Sequence, residues 1–150
     1  MKGPDRKRMN LYLKENVEPH LRLLKFKGSF PHYRRIIDNK VNLLTFQFDL
    51  SGGGFVIEIA NCYVSEDTLL WEERIPANKL TAHDLFTRKR IQSNMTTENS
   101  FKEDWFRYDK KYLWGLGNIY LKICKDILSK LDLMEEYWKN GYINIDKRQL

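Results

Sequence analysis

Between Val41 and Val64 the chain alternates apolar and polar residues on either side of three consecutive glycines, and this segment constrains the fold more than any other. Val41–Leu50 and Phe55–Val64 each read as a β-strand, because side chains of period two fall on alternate faces of a pleated chain. Ser51-Gly52-Gly53-Gly54 joins them as a hairpin turn, where glycine supplies the positive φ that a tight or bulged turn needs. Pairing Leu50 with Phe55 sets Phe48 opposite Ile57 and Phe46 opposite Ile59 on one apolar side. The other side then carries Thr45, Gln47 and Asp49 against Ala60, Glu58 and Val56, with Gln47 facing Glu58. One greasy and one mostly polar face is the pattern of an antiparallel sheet covered on a single side. A one-residue slip would spoil it. Strands on both sides of the glycines argue against a phosphate cradle, which joins a strand to a helix N-terminus and usually carries a Lys-Ser/Thr pair.

The flanking segments arrange themselves around this hairpin. Residues 1–8 are polar and basic and read as a tail, leaving 9–150 as one domain. Met9, Leu11, Leu13, Val17, Leu21, Leu23 and Leu24 follow a helical period. Pro19 kinks that helix or restarts it in a new first turn, and Gly28 is its expected stop. Phe30–Ile37 reads as a strand entering an Asp38-Asn39 turn. Leu69–Ile91, broken by Pro76, fits helix or strand, and Ser93–Glu103 reads as a loop. Asp104–Tyr108 fits a further strand. Asp109 is a candidate N-cap for a long amphipathic helix through Leu113, Leu116, Tyr120, Ile123, Ile127 and Leu131, bending near Asp132 and ending at Gly141. The expected fold is α+β: a single antiparallel sheet of four to six strands, with both helices on the Phe46/Phe48/Ile57/Ile59 face and the Gln47/Glu58 face open.

Composition narrows the function classes. With 42% hydrophobic and 13% aromatic residues in 150, the chain has too much to bury for disorder. It has no run of about 18 apolar residues for a membrane span. No apolar segment follows the charged MKGPDRKRMN start as a secretory leader requires, so a cytoplasmic location is expected. The 26 Lys and Arg exceed the 20 Asp and Glu by a formal +6. That charge attracts anionic partners, and it also lies within the magnitude of about 2–8 that serves solubility alone. Cys62 and Cys124 sit in separate apolar runs and read as buried thiols, although a single disulfide stays open. His20, His32 and His83 are isolated, no metal-ligand spacing is present, and no metal or cofactor is expected.

Leu24-Lys25-Phe26-Lys27-Gly28, then Phe30 and Tyr33-Arg34, then Phe46-Gln47, the glycine turn and Phe55-Val56-Ile57-Glu58-Ile59 resemble a bacterial domain-of-unknown-function family, number 4304. Arg88, Arg90 and Asp104-Trp105-Phe106 resemble its later Arg-containing segment and the strand that follows. The resemblance spans about residues 9–140 and implies the order helix, antiparallel sheet, helix. It implies no activity or cofactor, because the family has none established.

Two constellations carry chemistry. Gln47 and Glu58, with Arg34 or Arg35 from the preceding strand, would place an amide, a carboxylate and a guanidinium on the open face. They could hold a polar ligand or a partner's side chain, or form only a solvated cross-strand pair. Arg88 and Arg90 beside Asp104 and Trp105 could clamp an anion, or simply pin an Arg against the sheet. No Ser, Cys or Thr has a neighbouring His to mark a nucleophile, so no catalytic residue is assigned. The expected function is therefore a non-enzymatic protein-binding module using the open sheet face, as small bacterial immunity proteins bind what they neutralise. Two alternatives stay open: a nucleic-acid-binding domain drawn by charge, and a small polar-ligand binder or enzyme using Arg34, Glu58 and Asp104. Nucleic acid is not favoured, since Phe46 and Phe48 belong to the expected core and no RRM, KH or zinc-finger signature is present.

Overall fold

The computed structural model describes residues 4–64, 69–70, 73–96, 101–110 and 117–143. Helix α1 (Pro4–Asn16) places Met9 and Leu13 on one buried stripe that Val17 and Leu21 continue into α2 (Glu18–Leu23). The chain restarts as expected, with Pro19 in the first turn of α2, where a missing N–H costs nothing. The basic tail expected over residues 1–8 is corrected, because α1 already begins at Pro4. Asp5 suits the positive end of the helix, and Arg8 lies over the Tyr120 ring at 5.3 Å. The expected stop at Gly28 is also corrected. Lys25 turns left-handed (φ 73°), Phe26 N donates to Leu21 O and Lys25 N to Arg22 O, each at 3.0 Å, which places the stop three residues earlier.

A six-stranded antiparallel sheet follows. Its strands are β1 (Lys27–Ser29), β2 (His32–Ile37), β3 (Lys40–Phe48), β4 (Gly54–Tyr63), β7 (Lys89–Ile91) and β8 (Phe106–Arg107). The order is β1-β2-β3-β4-β7, and β8 pairs with β4 beyond the end of β7. A separate two-stranded ribbon, β5 (Leu69–Leu70) with β6 (Glu73–Arg74), lies in the segment whose structure the sequence left ambiguous. Asp38 and Asn39 both take positive φ, as a two-residue turn between β2 and β3 requires. The central hairpin keeps its expected faces but not its register. Phe48 pairs with Phe55, Phe46 with Ile57 and Leu44 with Ile59, two residues from the expected alignment. Leu50 is consequently a loop residue, 92% exposed, and Glu58 faces Thr45 while Gln47 faces Val56. A shift of two preserves side-chain faces, which is why the apolar assignment survives.

Both faces of the sheet are covered. On one, Tyr33, Leu44, Phe46, Phe55, Ile57 and Ile59 pack against α1, α2 and the C-terminal helices. On the other, Val41, Leu43 and Ala60 pack under Leu80 and Ala82, which belong to two 3-10 turns, Ala77–Lys79 and Ala82–Asp84, and the residues between them. The expected open polar face is therefore corrected: Glu58 is 4% exposed and Thr45 wholly buried. Val41, Leu43, Val56 and Ala60 share that face and need a cover of their own. Arg34 holds the cover in place, its Nε donating to Leu80 O at 3.0 Å.

The C-terminal helix is two: α3 (Ile119–Ser129) and α4 (Leu131–Asn140), divided at Lys130, close to the expected bend. Its N-cap is Asn118 rather than Asp109, with the side-chain carbonyl accepting from the Tyr120 and Leu121 N–H groups. Gly141 ends α4 with φ 81°. Trp138 Nε1 donates to Leu43 O at 3.2 Å, fastening α4 to the sheet. Cys62 and Cys124 lie on opposite sides of the sheet and are not bridged. Among the described residues no helix is long and apolar enough to cross a membrane.

Candidate functional site

Register brings part of the expected constellation together. His32, Thr45, Glu58 and Arg90 occupy consecutive cross-strand positions on β2, β3, β4 and β7. His32 Nδ1 and Thr45 Oγ1 are 2.9 Å apart, and Arg90 reaches Glu58 Oε1 from Nε (3.1 Å) and Nη2 (2.9 Å). The Arg90 guanidinium also lies over Trp105 at 5.5 Å. Asp104 stands next in the chain and accepts from Asn94 Nδ2 at 3.0 Å. The face shared with Glu58 belongs to Arg34, but its guanidinium serves Leu80. Arg35 points to the opposite face and pairs with Glu135. Gln47 is half-buried two positions along β3 from Thr45, and Arg88 is exposed just before β7. His32 and His83 meet edge to face at 5.8 Å. With Thr45 sealed and Glu58 answered by Arg90, this row clasps the covering segment, its centre buried and His32 and Arg90 part-exposed at its two ends.

A second cluster forms at the other end of the central hairpin. There the first turn of α1, the loop from Asp49 to Gly53, the 3-10 turn Lys102–Asp104 and β8 enclose a groove of about 660 Å³. The buried Asp49 carboxylate accepts from Ser51 N (3.0 Å) and Lys102 Nζ (3.1 Å), with Arg107 Nη1 3.9 Å away. Those partners, the Ser51 N–H foremost, hold its pKa below the ordinary carboxylate value. Arg107 makes a fork on Asp109, Nε to Oδ1 at 3.1 Å and Nη2 to Oδ2 at 2.5 Å, which lowers the Asp109 carboxyl and raises the guanidinium. Burial pushes the Tyr108 phenol up, although its oxygen accepts from Gly53 N at 3.2 Å.

The glycine run is the seat of this ion pair. A Cβ on Gly53 would stand 2.5 Å from Asp109 Oδ2 and 2.7 Å from Arg107 Nη2, and one on Gly54 would stand 2.9 Å from Arg107 Nη1. The loop ties back on itself, Asp49 N donating to Gly54 O and Gly52 N to Asp49 O, both at 2.9 Å. Arg6 completes the wall, its guanidinium over the Phe48 ring at 4.5 Å. Among the described residues, no group of three or more His, Cys, Asp or Glu could hold a metal ion. Sequence reasoning missed this groove because extending β3 to Leu50 made Asp49 a strand residue. The signal it could have used is the pairing of Arg107 with Asp109 two residues on.

A family model described as a domain of unknown function, DUF4304, matches residues 17–130. The chain belongs to the DUF4304 family. No curated protein and no solved structure matches. The DUF4304 span takes in the whole sheet, the clasp and the ion pair seated on the glycines. Arg6 of the groove wall, and Glu135 and Trp138 of α4, lie outside it.

Proposed function

We propose that this DUF4304 chain is a non-catalytic protein-binding module whose partner docks at the groove end of the sheet. The observation that carries this reading is Leu50: 92% exposed on a loop whose backbone is tied to itself and to Tyr108 and Asp109 just past β8. A side chain held out on an ordered loop loses little entropy when a partner covers it, and burying a leucine stabilises the complex by about 1.5–3 kcal/mol. Phe101, 59% exposed, precedes Lys102 of the groove wall and adds apolar surface beside charged groups. The docking surface is thus the loop end, not the sheet face, which the 3-10 turns cover.

A nucleic-acid reading has less support. Arg22, Arg35, Arg90 and Arg107 each bond a carboxylate and Arg34 bonds a carbonyl, so five of the ten guanidinium groups already serve partners within the chain. A polar-ligand site on Arg34, Glu58 and Asp104 has less support too, because the three bond to different neighbours. The test is quantitative affinity capture from the native host with the wild-type chain and Leu50→Asp in parallel. One protein retained in stoichiometric amount by the wild type and lost from the variant, with circular dichroism unchanged, supports the reading. Absence of such a protein, or equal retention by both chains, overturns it.

A further inference from the structure

We infer that the outer face of α1 and α3 docks on the surface of a membrane rich in anionic lipid, independently of the protein partner at the loop end. The two helices lie side by side, Tyr12 stacked on Tyr120 at 5.2 Å and the Cys124 thiol against Tyr12 O. Met9 and Leu13 of α1, with Ile123 and Ile127 of α3, turn to the core. The helical period then sends Lys7, Leu11 and Lys14 outward from α1, and Leu121, Lys122 and Lys125 outward from α3. Leu11 is 52% and Leu121 38% exposed, each one residue from a stacked tyrosine, so with half-buried Leu128 they form the middle of the face. Exposed lysines border that apolar strip on both sides, Lys7 and Lys14 on one and Lys122 and Lys125 on the other.

The charge of the two helices is one-sided. Arg6, Lys7, Arg8, Lys14, Lys122 and Lys125 stand against the carboxylates Asp5, Glu15 and Asp126, and Asp126 is already bonded to Lys130 and Ser93. Half of the formal +6 of the chain is thereby carried by these two helices. The chemistry of the face selects among anionic partners. Protein interfaces are poor in lysine and anchored by aromatic side chains or arginine, whereas this face offers leucine and lysine. A nucleic acid would engage the cations and leave the exposed leucines in water. A lipid surface uses both. The leucines enter the headgroup region, while the lysine stems lie along apolar surface and hold their ammonium groups at the phosphates. A cluster of this size on an amphipathic surface is drawn to an anionic leaflet, by about fivefold in affinity per cation. Such docking is peripheral and needs no spanning helix.

The test is flotation of the full chain with vesicles of phosphatidylcholine alone or with about one-third phosphatidylglycerol, at low and high salt. The wild type is expected to float with the anionic vesicles only, and to lose at least about tenfold in partition at high salt. Lys7→Gln and Lys125→Gln should each weaken partition about fivefold. Lys79→Gln, in the turn that covers the opposite face of the sheet, removes the same charge and should change it less than about twofold. Leu11→Ser combined with Leu121→Ser keeps every charge and should weaken partition about tenfold, with circular dichroism unchanged. No flotation with anionic vesicles, equal flotation with neutral ones, or the same loss from Lys79→Gln as from Lys7→Gln overturns the inference. So does undiminished partition of the double leucine variant, or binding to a duplex oligonucleotide as tight as to the vesicles at the same salt, which would make the face a general polyanion site.

Discussion

Arg35 and Glu135 meet fork to fork across one hundred residues of chain, Nη1 on Oε1 and Nη2 on Oε2, each at 2.7 Å. The same guanidinium donates to Leu24 O at 3.1 Å and, with the Asn42 amide oxygen facing it, to Asn42 from Nε and Nη2. Every N–H of Arg35 is thereby used, between the rings of Phe26 (4.5 Å) and Trp138 (5.3 Å). It joins the end of α2, the β2–β3 hairpin and α4 at one point. Glu135→Gln leaves that 7%-exposed cation without its counter-charge, which costs several kcal/mol when both partners are buried. Because Glu135 is itself 37% exposed, the expected loss is smaller, roughly 1–2 kcal/mol. Urea unfolding measures it as a lower midpoint at constant m-value. An unchanged midpoint would show that the pair does not hold α4.

The helix restart at Pro19, the Asp38-Asn39 turn, the end of α4 at Gly141 and the inward face of the central hairpin were all legible in the sequence. Each depends on local chemistry: fixed φ, positive φ, or a period of two. What stayed hidden is tertiary. The hairpin register depends on Asp49 N bonding Gly54 O and on Tyr108 bracing Gly53, and neither partner is a neighbour within a strand. The cover over Glu58 comes from 3-10 turns around Leu80 and Ala82, which have no hydrophobic period to read. Arg6, Asp49 and Arg107 come from three distant segments, so only the fold assembles the groove.

Lys25 closes α2 with φ 73°, a conformation that costs an L-residue energy and glycine none. Leu21 and Phe26, the two apolar ends of this Schellman closure, are both buried, so the motif is otherwise complete. Lys25→Gly is therefore expected to raise stability by about 0.5–1 kcal/mol, after the added freedom of glycine in the unfolded chain is deducted. Thermal unfolding checks the direction. A lower melting temperature would mean that the lysine side chain contributes more than its backbone costs.

Gly53 and Gly141 have nearly the same φ, +85° and +81°, but a Cβ at 141 meets nothing within 4 Å. Substituting alanine at both sites separates conformational cost from steric cost. Gly141→Ala is expected to lose about 1 kcal/mol. Gly53→Ala pays the same backbone term and must also push aside the flexible ends of the Arg107–Asp109 fork, a half-exposed pair worth about 0–1 kcal/mol, so a loss of roughly 1–2 kcal/mol is expected. Equal losses at the two positions would show that the glycine seat is not needed by the ion pair.

His32 gives the fold a pH dependence whose sign follows from its surroundings. Burial lowers its pKa from the ordinary 6.5, and His83 and Arg34 lower it further, against a smaller opposing pull from Asp84. The folded state thus prefers the neutral imidazole, whereas the unfolded chain takes up a proton at the ordinary value. The stability this contributes is complete above about pH 6.5 and is lost as the pH falls through 6.5 toward the folded-state pKa. Urea midpoints measured between pH 7.5 and 5.5 should therefore fall toward acid. His32→Gln, which can still hydrogen-bond Thr45 but does not titrate, should flatten that slope. The acidic carboxylates of the groove, Asp49 and Asp109, titrate below this window and leave it undisturbed. A wild-type midpoint that stays level, or the same slope in the variant, would place the acid sensitivity elsewhere.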